Sequence, residues 1–331
     1  MGAGVMMKTV GIGILGLGTV GSAVYKLIKE KGDDFSKKFG IKPEVRKVLV
    51  RNLEKQRTVE IPQNLLTTKF NDVLNDKGID IIVEVMGGLT PAVDYVSMAL
   101  RNGKPVVTAN KHMLAEKGEE IEAIAKEKGV LFRYEASVGG IIPIVAGLNE
   151  GIHSMDIVKV RGILNGTTNF ILSSMRFDGL EYEEALKMAQ EKGYAEPNPR
   201  LDIEGLDTAH KLCVLSRLAF GRFLPLSQVK VKGIGPETKT LIEGAIHLGR
   251  NVKLVGTLSM VGVGPGKLPK ATVAPEEVLK EDPLYNMNGS MNCIALETRD
   301  TGTITLSGRG AGGKETATAI VNDILAIAID L

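Results

Sequence analysis

The chain holds little that would tie it to a metal, a membrane or a nucleic acid. It has two cysteines, Cys213 and Cys293, far apart and in no CxxC pair, so neither a zinc cluster nor a disulfide framework is indicated and a reducing cytoplasm fits. Tryptophan is absent and glutamine scarce beside abundant lysine and glutamate, a bias expected of a chain that works at high temperature. With 41 basic against 39 acidic residues, the net charge of +2 gives no electrostatic case for a nucleic acid or a membrane surface, and a small soluble ligand is the expected partner. The uncharged stretch 9–25 follows Lys8 as a signal peptide would, but glycines interrupt it and a helical pattern continues from it, so it reads as a buried strand and turn. Near the C-terminus, Asn322 and Asp323 break the apolar run well short of the roughly 20 residues that cross a bilayer. There are four histidines (His112, His153, His210, His247), and none is set beside a nucleophile.

What is present points to two α/β domains. A chain of 331 residues is long enough for two cores, and 44% hydrophobic with 24% charged residues is ordinary for a soluble globular protein. Up to about residue 140, short apolar runs (9–16, 45–50, 80–86, 104–109, 129–136) alternate with helical patterns such as "PAVDYVSMALRNG". Strand and helix in turn predict a parallel sheet covered on both faces. Beyond 140, helical patterns at 167–177, 182–192, 207–220 and 236–248 are interleaved with strands at 156–164, 251–261, 291–298 and 302–308 that read as antiparallel, the last two joined by the turn "RDTG". The second domain is therefore expected to be α+β with a mainly antiparallel sheet.

The first turn carries a specific signal. "GILGLGTVGSAVYKLI" sets Gly16, Gly18 and Gly21 in GxGxxG spacing after a strand and at the opening of a helix, where Thr19 and Val20 present backbone N–H groups. The glycines allow a tight turn, backbone approach to a pyrophosphate and close helix–strand packing, and the helix N-terminus receives the anion. An acid at the end of the second strand would bind the ribose hydroxyl of NAD, but this chain offers "VRNLEKQR". Arg51 could hold a 2′-phosphate, so NADP(H) is favoured over NAD(H).

Asp207 and Lys211 stand four apart at the head of a helical pattern and so share a face. From spacing alone this is either a solvated surface ion pair or an acid/base pair in a cleft.

Five separated stretches, "GLGTVG", "TANK" (108–111), "NGTTN" (165–169), "GYAEPNPRLDIEGLDTAHK" (193–211) and "SGRGAGG", together resemble the homoserine dehydrogenase family nearly end to end. The resemblance implies reversible NAD(P)H-dependent reduction of L-aspartate 4-semialdehyde to L-homoserine, in threonine, methionine and isoleucine biosynthesis. It also implies a homodimer and a Rossmann-like domain (1–140) that a C-terminal helix (312–331) rejoins, beside a catalytic and dimerisation domain (141–311). Some members add a C-terminal ACT domain; this chain ends at residue 331 without one, and feedback control through it is not expected.

Residue by residue, the resemblance makes Lys211 the acid/base and Asp207 its orienting or substrate-binding acid. Glu196 becomes the carboxylate for the substrate's amino group, with Asp202 either a further substrate contact or a support for the loop. Lys111 acquires a role near the nicotinamide or the substrate carboxylate; otherwise it is a lysine at a helix N-terminus, where a cation opposes the dipole. Gly193 and Gly308 match cofactor-contacting positions. Glu135, Val138, Gly140 and Ile142 match a site for a monovalent cation (Na+ or K+) held by backbone carbonyls, a site with almost no sequence signature, and "YEASVGGII" alone reads as a turn leading into a helix. Lysine suits the chemistry, because its ammonium can polarise an aldehyde oxygen and protonate it. In the reverse direction an ordinary lysine, near about 10.4, must first lose a proton, so homoserine oxidation is expected to favour alkaline pH. Two rivals stand beside this reading: an aldehyde dehydrogenase that acylates a cysteine, for which neither cysteine is placed beside a base, and a noncatalytic NADP(H)-sensing module.

Overall fold

The apolar runs of the N-terminal part are strands because both their faces are covered. In order the elements are β1 (Lys8–Leu15), α1 (Thr19–Phe39), β2 (Ile41–Leu49), β3 (Leu66–Thr67), α2 (Phe70–Leu74), β4 (Ile81–Glu84), α3 (Ala92–Arg101), β5 (Val106–Thr108), α4 (Lys111–Lys128) and β6 (Phe132–Arg133). In this computed structural model, which describes residues 7–152, 154–262 and 268–331, they form a sheet of order β3-β2-β1-β4-β5-β6 in which every neighbouring pair is parallel. On one face Val24 and Ile28 of α1, with Ile320 and Ile324 of the C-terminal helix (Gly313–Asp330), pack on Ile12, Ile14 and Val48. On the other, Val73, Val96, Leu100 and Ile121 pack on Leu15, Ile82 and Val106. Residues buried from both sides have no reason to alternate with polar ones, which is why the runs read as continuous. β1 has β2 on one side and β4 on the other, so the strand order reverses there and leaves a crevice beyond its carboxyl end.

Two strands of this sheet differ from expectation by three residues or more at an end. β6 is two residues long rather than the run 129–136, because its only neighbour, β5, is itself short; the chain then turns at Glu135–Ser137. β2 starts at Ile41 and takes in Pro43, which is tolerated because β3 pairs only with Val48 and Leu49 and leaves the edge at Pro43 open.

These elements and the C-terminal helix make one unit (Met1–Ser137 and Gly312–Leu331), and Val138–Ala311 makes another. The second contains α5 (Ile144–Ala146), β7 (Ile157–Ile163), α6 (Gly166–Phe177), α7 (Tyr182–Glu191), α8 (Arg200–Ile203), α9 (Leu206–Phe220), β8 (Val229–Val231), α10 (Thr238–His247), β9 (Asn251–Val261), β10 (Leu268–Val278), β11 (Met291–Thr298) and β12 (Thr303–Arg309). Its sheet runs β12-β11-β7-β9-β10-β8, antiparallel except for the short β10–β8 pair. The expected turn at 299–302 joins β11 to β12. α9 lies close on the sheet at Gly256, where a Cβ would stand 2.9 Å from Thr208 and 3.2 Å from Leu212. Glycine there sets how near the head of α9 comes to the strands.

Candidate active site

In the first unit, β1 ends at Leu15 and the backbone swings through Gly16 in a left-handed conformation (φ 103°). A Cβ on Gly21 would stand 2.1 Å from the Gly16 carbonyl oxygen, so only glycine lets α1 fold back this tightly on the turn, whereas nothing crowds Gly18. α1 opens at Thr19 and Val20 with no side-chain cap and no acid in its first turn, which leaves its N-terminus to an anion. Beside it lies a cavity of about 390 Å³ bounded by Gly16, Gly18, Val50, Arg51, Met86 and Tyr95. Arg51 and Lys55 are exposed at its rim. Arg57 lines it too, but its guanidinium donates to the Leu53, Lys55 and Asn52 carbonyl oxygens and braces the basic loop. Cavity, uncapped helix end and basic rim fit a dinucleotide with its phosphates at α1.

Beside this turn, at the carboxyl end of β4 and in register with Leu15 of β1, Glu84 is fully buried. Its carboxylate accepts the Thr108 hydroxyl at 2.6 Å and the Met86 and Gly87 N–H groups at 2.8 and 3.3 Å. Burial pushes its carboxyl above the usual range, and those hydrogen bonds oppose the rise. Asn110 caps α4 by accepting the Met113 N–H, and Lys111 is the first residue of that helix.

In the second unit, Asp207 and Lys211 are one turn apart on α9, with side chains only 10% and 8% exposed. The spacing alone also allowed a solvated surface pair, and burial removes that reading. Lys211 Nζ donates to Asp207 Oδ2 at 2.8 Å and to the Leu164 carbonyl oxygen, at the end of β7, at 2.5 Å. Asn165, the cap of α6, donates through Nδ2 to Asp207 Oδ2 at 2.8 Å and to Asp202 Oδ1 at 2.7 Å, while its Oδ1 accepts the Thr168 N–H. Three sequence candidates, Asp202, Asp207 and Lys211, thus meet around one amide. Desolvation, then the neighbouring Asp207, holds the Asp202 carboxyl above its ordinary range, opposed by Asn165 and Lys211. Asn165 received no role from the sequence; the signal available was an Asn directly before a helical pattern, a strong cap preference.

Other candidates stand apart. Glu196 is exposed on the loop after α7 and takes no part in that network. Gly193 turns the same loop (φ 74°), which Thr167 ties down by donating to the Tyr194 carbonyl oxygen at 2.6 Å. Gly308 lies in β12 opposite Asn292, against Ile142. Val138, Gly140 and Ile142 belong to a turn leading into α5, where Gly140 (φ 60°) presses on the backbone of Arg309 and Gly310, while Glu135 belongs to the first unit, its N–H donating to Asp323. Among the described residues no group of three or more His, Cys, Asp or Glu side chains converges, so a cation at this turn would rest on carbonyl oxygens. His153 lies outside the described residues, and His210 is buried on α9. Burial pushes the Cys293 thiol up to about 11, away from nucleophilic use.

The family model for homoserine dehydrogenase matches residues 143–325, and that for the homoserine dehydrogenase NAD binding domain matches 16–135. The chain belongs to the homoserine dehydrogenase family. A Bacillus subtilis homoserine dehydrogenase is 42% identical over 97% of this chain and 73% of its own length. The crystal structure of a Thiobacillus denitrificans homoserine dehydrogenase superposes with a TM-score of 0.88 at 39% identity, over 97% of this chain and 73% of that one. A hyperthermophilic archaeal homoserine dehydrogenase solved in complex with NADPH superposes at 0.78 with 25% identity, over 98% of each chain. The activity is that of homoserine dehydrogenase, an NAD(P)-dependent oxidoreductase, and a noncatalytic sensing module finds no support.

Proposed function

We propose that Lys211 is the acid/base of the reversible reduction of L-aspartate 4-semialdehyde to L-homoserine, with NADP(H) preferred over NAD(H). The observation that carries this is the setting of its amine. Asp207 and the Leu164 carbonyl take two of the three N–H directions, which leaves the third for a substrate oxygen. The bound cofactor supplies or takes the hydride at the carbonyl carbon. As negative charge develops on the oxygen, the Lys211 ammonium stabilises it and gives up a proton; in the oxidative direction the same amine accepts it back. Asp207 holds the amine in place, and Asn165 holds Asp207.

Two carboxylates, Asp202 and Asp207, face one ammonium here, and the surplus negative charge suits an amino-acid substrate. Glu196 takes the substrate's ammonium and Lys111 serves its carboxylate or the nicotinamide, the roles their motif positions imply. Preference for NADP(H) is supported by Arg51 and Lys55 at the cavity rim, where a 2′-phosphate gains charge-assisted hydrogen bonds, and by the absence of an acid at Arg51. A monovalent cation on the carbonyls of Glu135, Val138, Gly140 and Ile142, a homodimer and a cytoplasmic place in threonine, methionine and isoleucine biosynthesis complete the reading, on family resemblance. The test is to mix the protein with aspartate semialdehyde and NADPH or NADH and follow absorbance at about 340 nm. Turnover with a lower KM for NADPH is expected; no turnover with either cofactor refutes the function, and a lower KM for NADH reverses the cofactor assignment.

A further inference from the structure

Glu84 makes no hydrogen bond to Lys211, Asp207, Asp202 or Asn165. This carboxylate is 0% exposed, ends a central strand of a parallel sheet, and the groups acting on it are uncharged: the Thr108 hydroxyl, the Met86 and Gly87 N–H groups and the Asn110 side chain. Burying a carboxylate with no cation beside it costs stability, and an apolar residue would continue the Ile81–Val83 run without that cost. A position that spends stability marks a task other than stability.

The donors around Glu84 come from two segments. Met86 and Gly87 belong to the turn after β4; Thr108 and Asn110 belong to the junction between β5 and α4. Asn110 closes the frame. Its Nδ2 donates to the Gly88 carbonyl at 2.7 Å, its backbone N–H donates to Thr108 Oγ1 at 3.0 Å, and its Oδ1 accepts the Met113 N–H at 3.1 Å. The turn cannot fix itself, since Gly87 and Gly88 are both left-handed (φ 72° and 71°) and have nothing within 4 Å of where a Cβ would be. Met86 walls the cavity beside Gly16, and Lys111 begins the helix that Asn110 caps.

We propose that Glu84 is a positioning residue, which fixes the first turn of α4, and with it Lys111, against the glycine turn that walls the dinucleotide cavity. The inference rests on the reading of Lys111 as a site residue. A double-mutant cycle tests both. Glu84→Ala is expected to lower kcat/KM about 30-fold, in line with the cost of a small misplacement. In a Lys111→Met background it should cost less than about threefold further, because the residue it acts through is gone. Glu84→Gln should restore most of the loss, since its amide oxygen still accepts the Met86 and Gly87 N–H groups. If Glu84→Ala does not fold, Thr108→Val carries the same cycle by deleting one hydroxyl. An equal loss in both backgrounds, with Lys111→Met itself impaired, overturns the Glu84 role and leaves Lys111 standing. Parental kinetics in Lys111→Met overturn the reading of Lys111 and the Glu84 role with it.

Discussion

Two lysines of the second unit are about equally buried and are built for opposite ends. Lys211 faces the Asp207 carboxylate and the Leu164 carbonyl. Lys253, 1% exposed near the start of β9, is ringed by neutral oxygens, Asn169 Oδ1 at 3.1 Å, Asn288 Oδ1 at 2.9 Å and the Met287 carbonyl at 2.5 Å. Desolvation, with nearby Arg176 adding to it, lowers Lys253 to about 7. It pins α6 and the loop before β11 to the sheet; Lys211 is held at two points with a third direction open. Burial alone therefore does not mark a working lysine. The charge of the partner and an unfilled donor direction do.

Breaking the first of the pair should have the largest effect. Lys211→Met is expected to lower kcat about 1,000-fold while NADPH binding, read by fluorescence titration, stays within about twofold; a variant that turns over at the parental rate ends the acid/base assignment. Asp207→Asn comes next. It takes from the buried amine the carboxylate that accepts its hydrogen bond and leaves only Asp202 nearby, so kcat should fall about 100-fold and the urea midpoint should drop by the equivalent of about 3 kcal/mol. Unchanged stability would mean that Asp207 does not hold Lys211 in solution.

Lys253→Met should leave kcat within about threefold of the parent and show itself in stability against pH. The folded value of Lys253, about 7, lies below the 10.5 of an unfolded lysine, so between those values the unfolded chain binds the extra proton. Stability then rises with pH across that window. Urea unfolding at pH 7 and pH 9 should therefore show the parent gaining on the variant at the higher pH, and a difference that does not move with pH would place the titration elsewhere. Asp202→Asn is the smallest change. Burial and Asp207 raise the Asp202 carboxyl, so its ionisation weighs against the folded state as pH climbs through that raised value. The amide keeps an oxygen for Asn165 and removes the charge. A melting temperature about 2 °C above the parent at pH 7, fading once the solution is acid enough to protonate the parent's Asp202, is the expected result.

Much of this fold was legible because each signal was local. "GLGTVG" follows an uninterrupted apolar run and precedes a helical pattern, and β1, the Gly16 turn and α1 are that order made solid. The turn "RDTG" announced the β11–β12 hairpin in the same way. β10 is not among the expected strands, and it contains Pro269 and Pro275. They are tolerated because β8 pairs only with residues 271–273 and leaves the strand's edge open at both prolines.

At the site, the sequence could name Asp207 and Lys211 from a motif but could not say whether the pair was wet or dry, since burial depends on a sheet whose strands lie far apart in the chain. Asn165 shows the limit from the other side: its amide joins two carboxylates from α8 and α9, and no spacing along the chain encodes that meeting. Glu84 and Lys253 were passed over for a related reason. A lone charge inside an apolar strand looks like an interruption until its partners are in place.

The Leu164 carbonyl that grips Lys211 is main chain, and no codon change at that residue can delete it. The amine's orientation is thus written partly into the path of the polypeptide. Side chains around the pocket can drift, or be redesigned for other aldehydes, without losing that handhold.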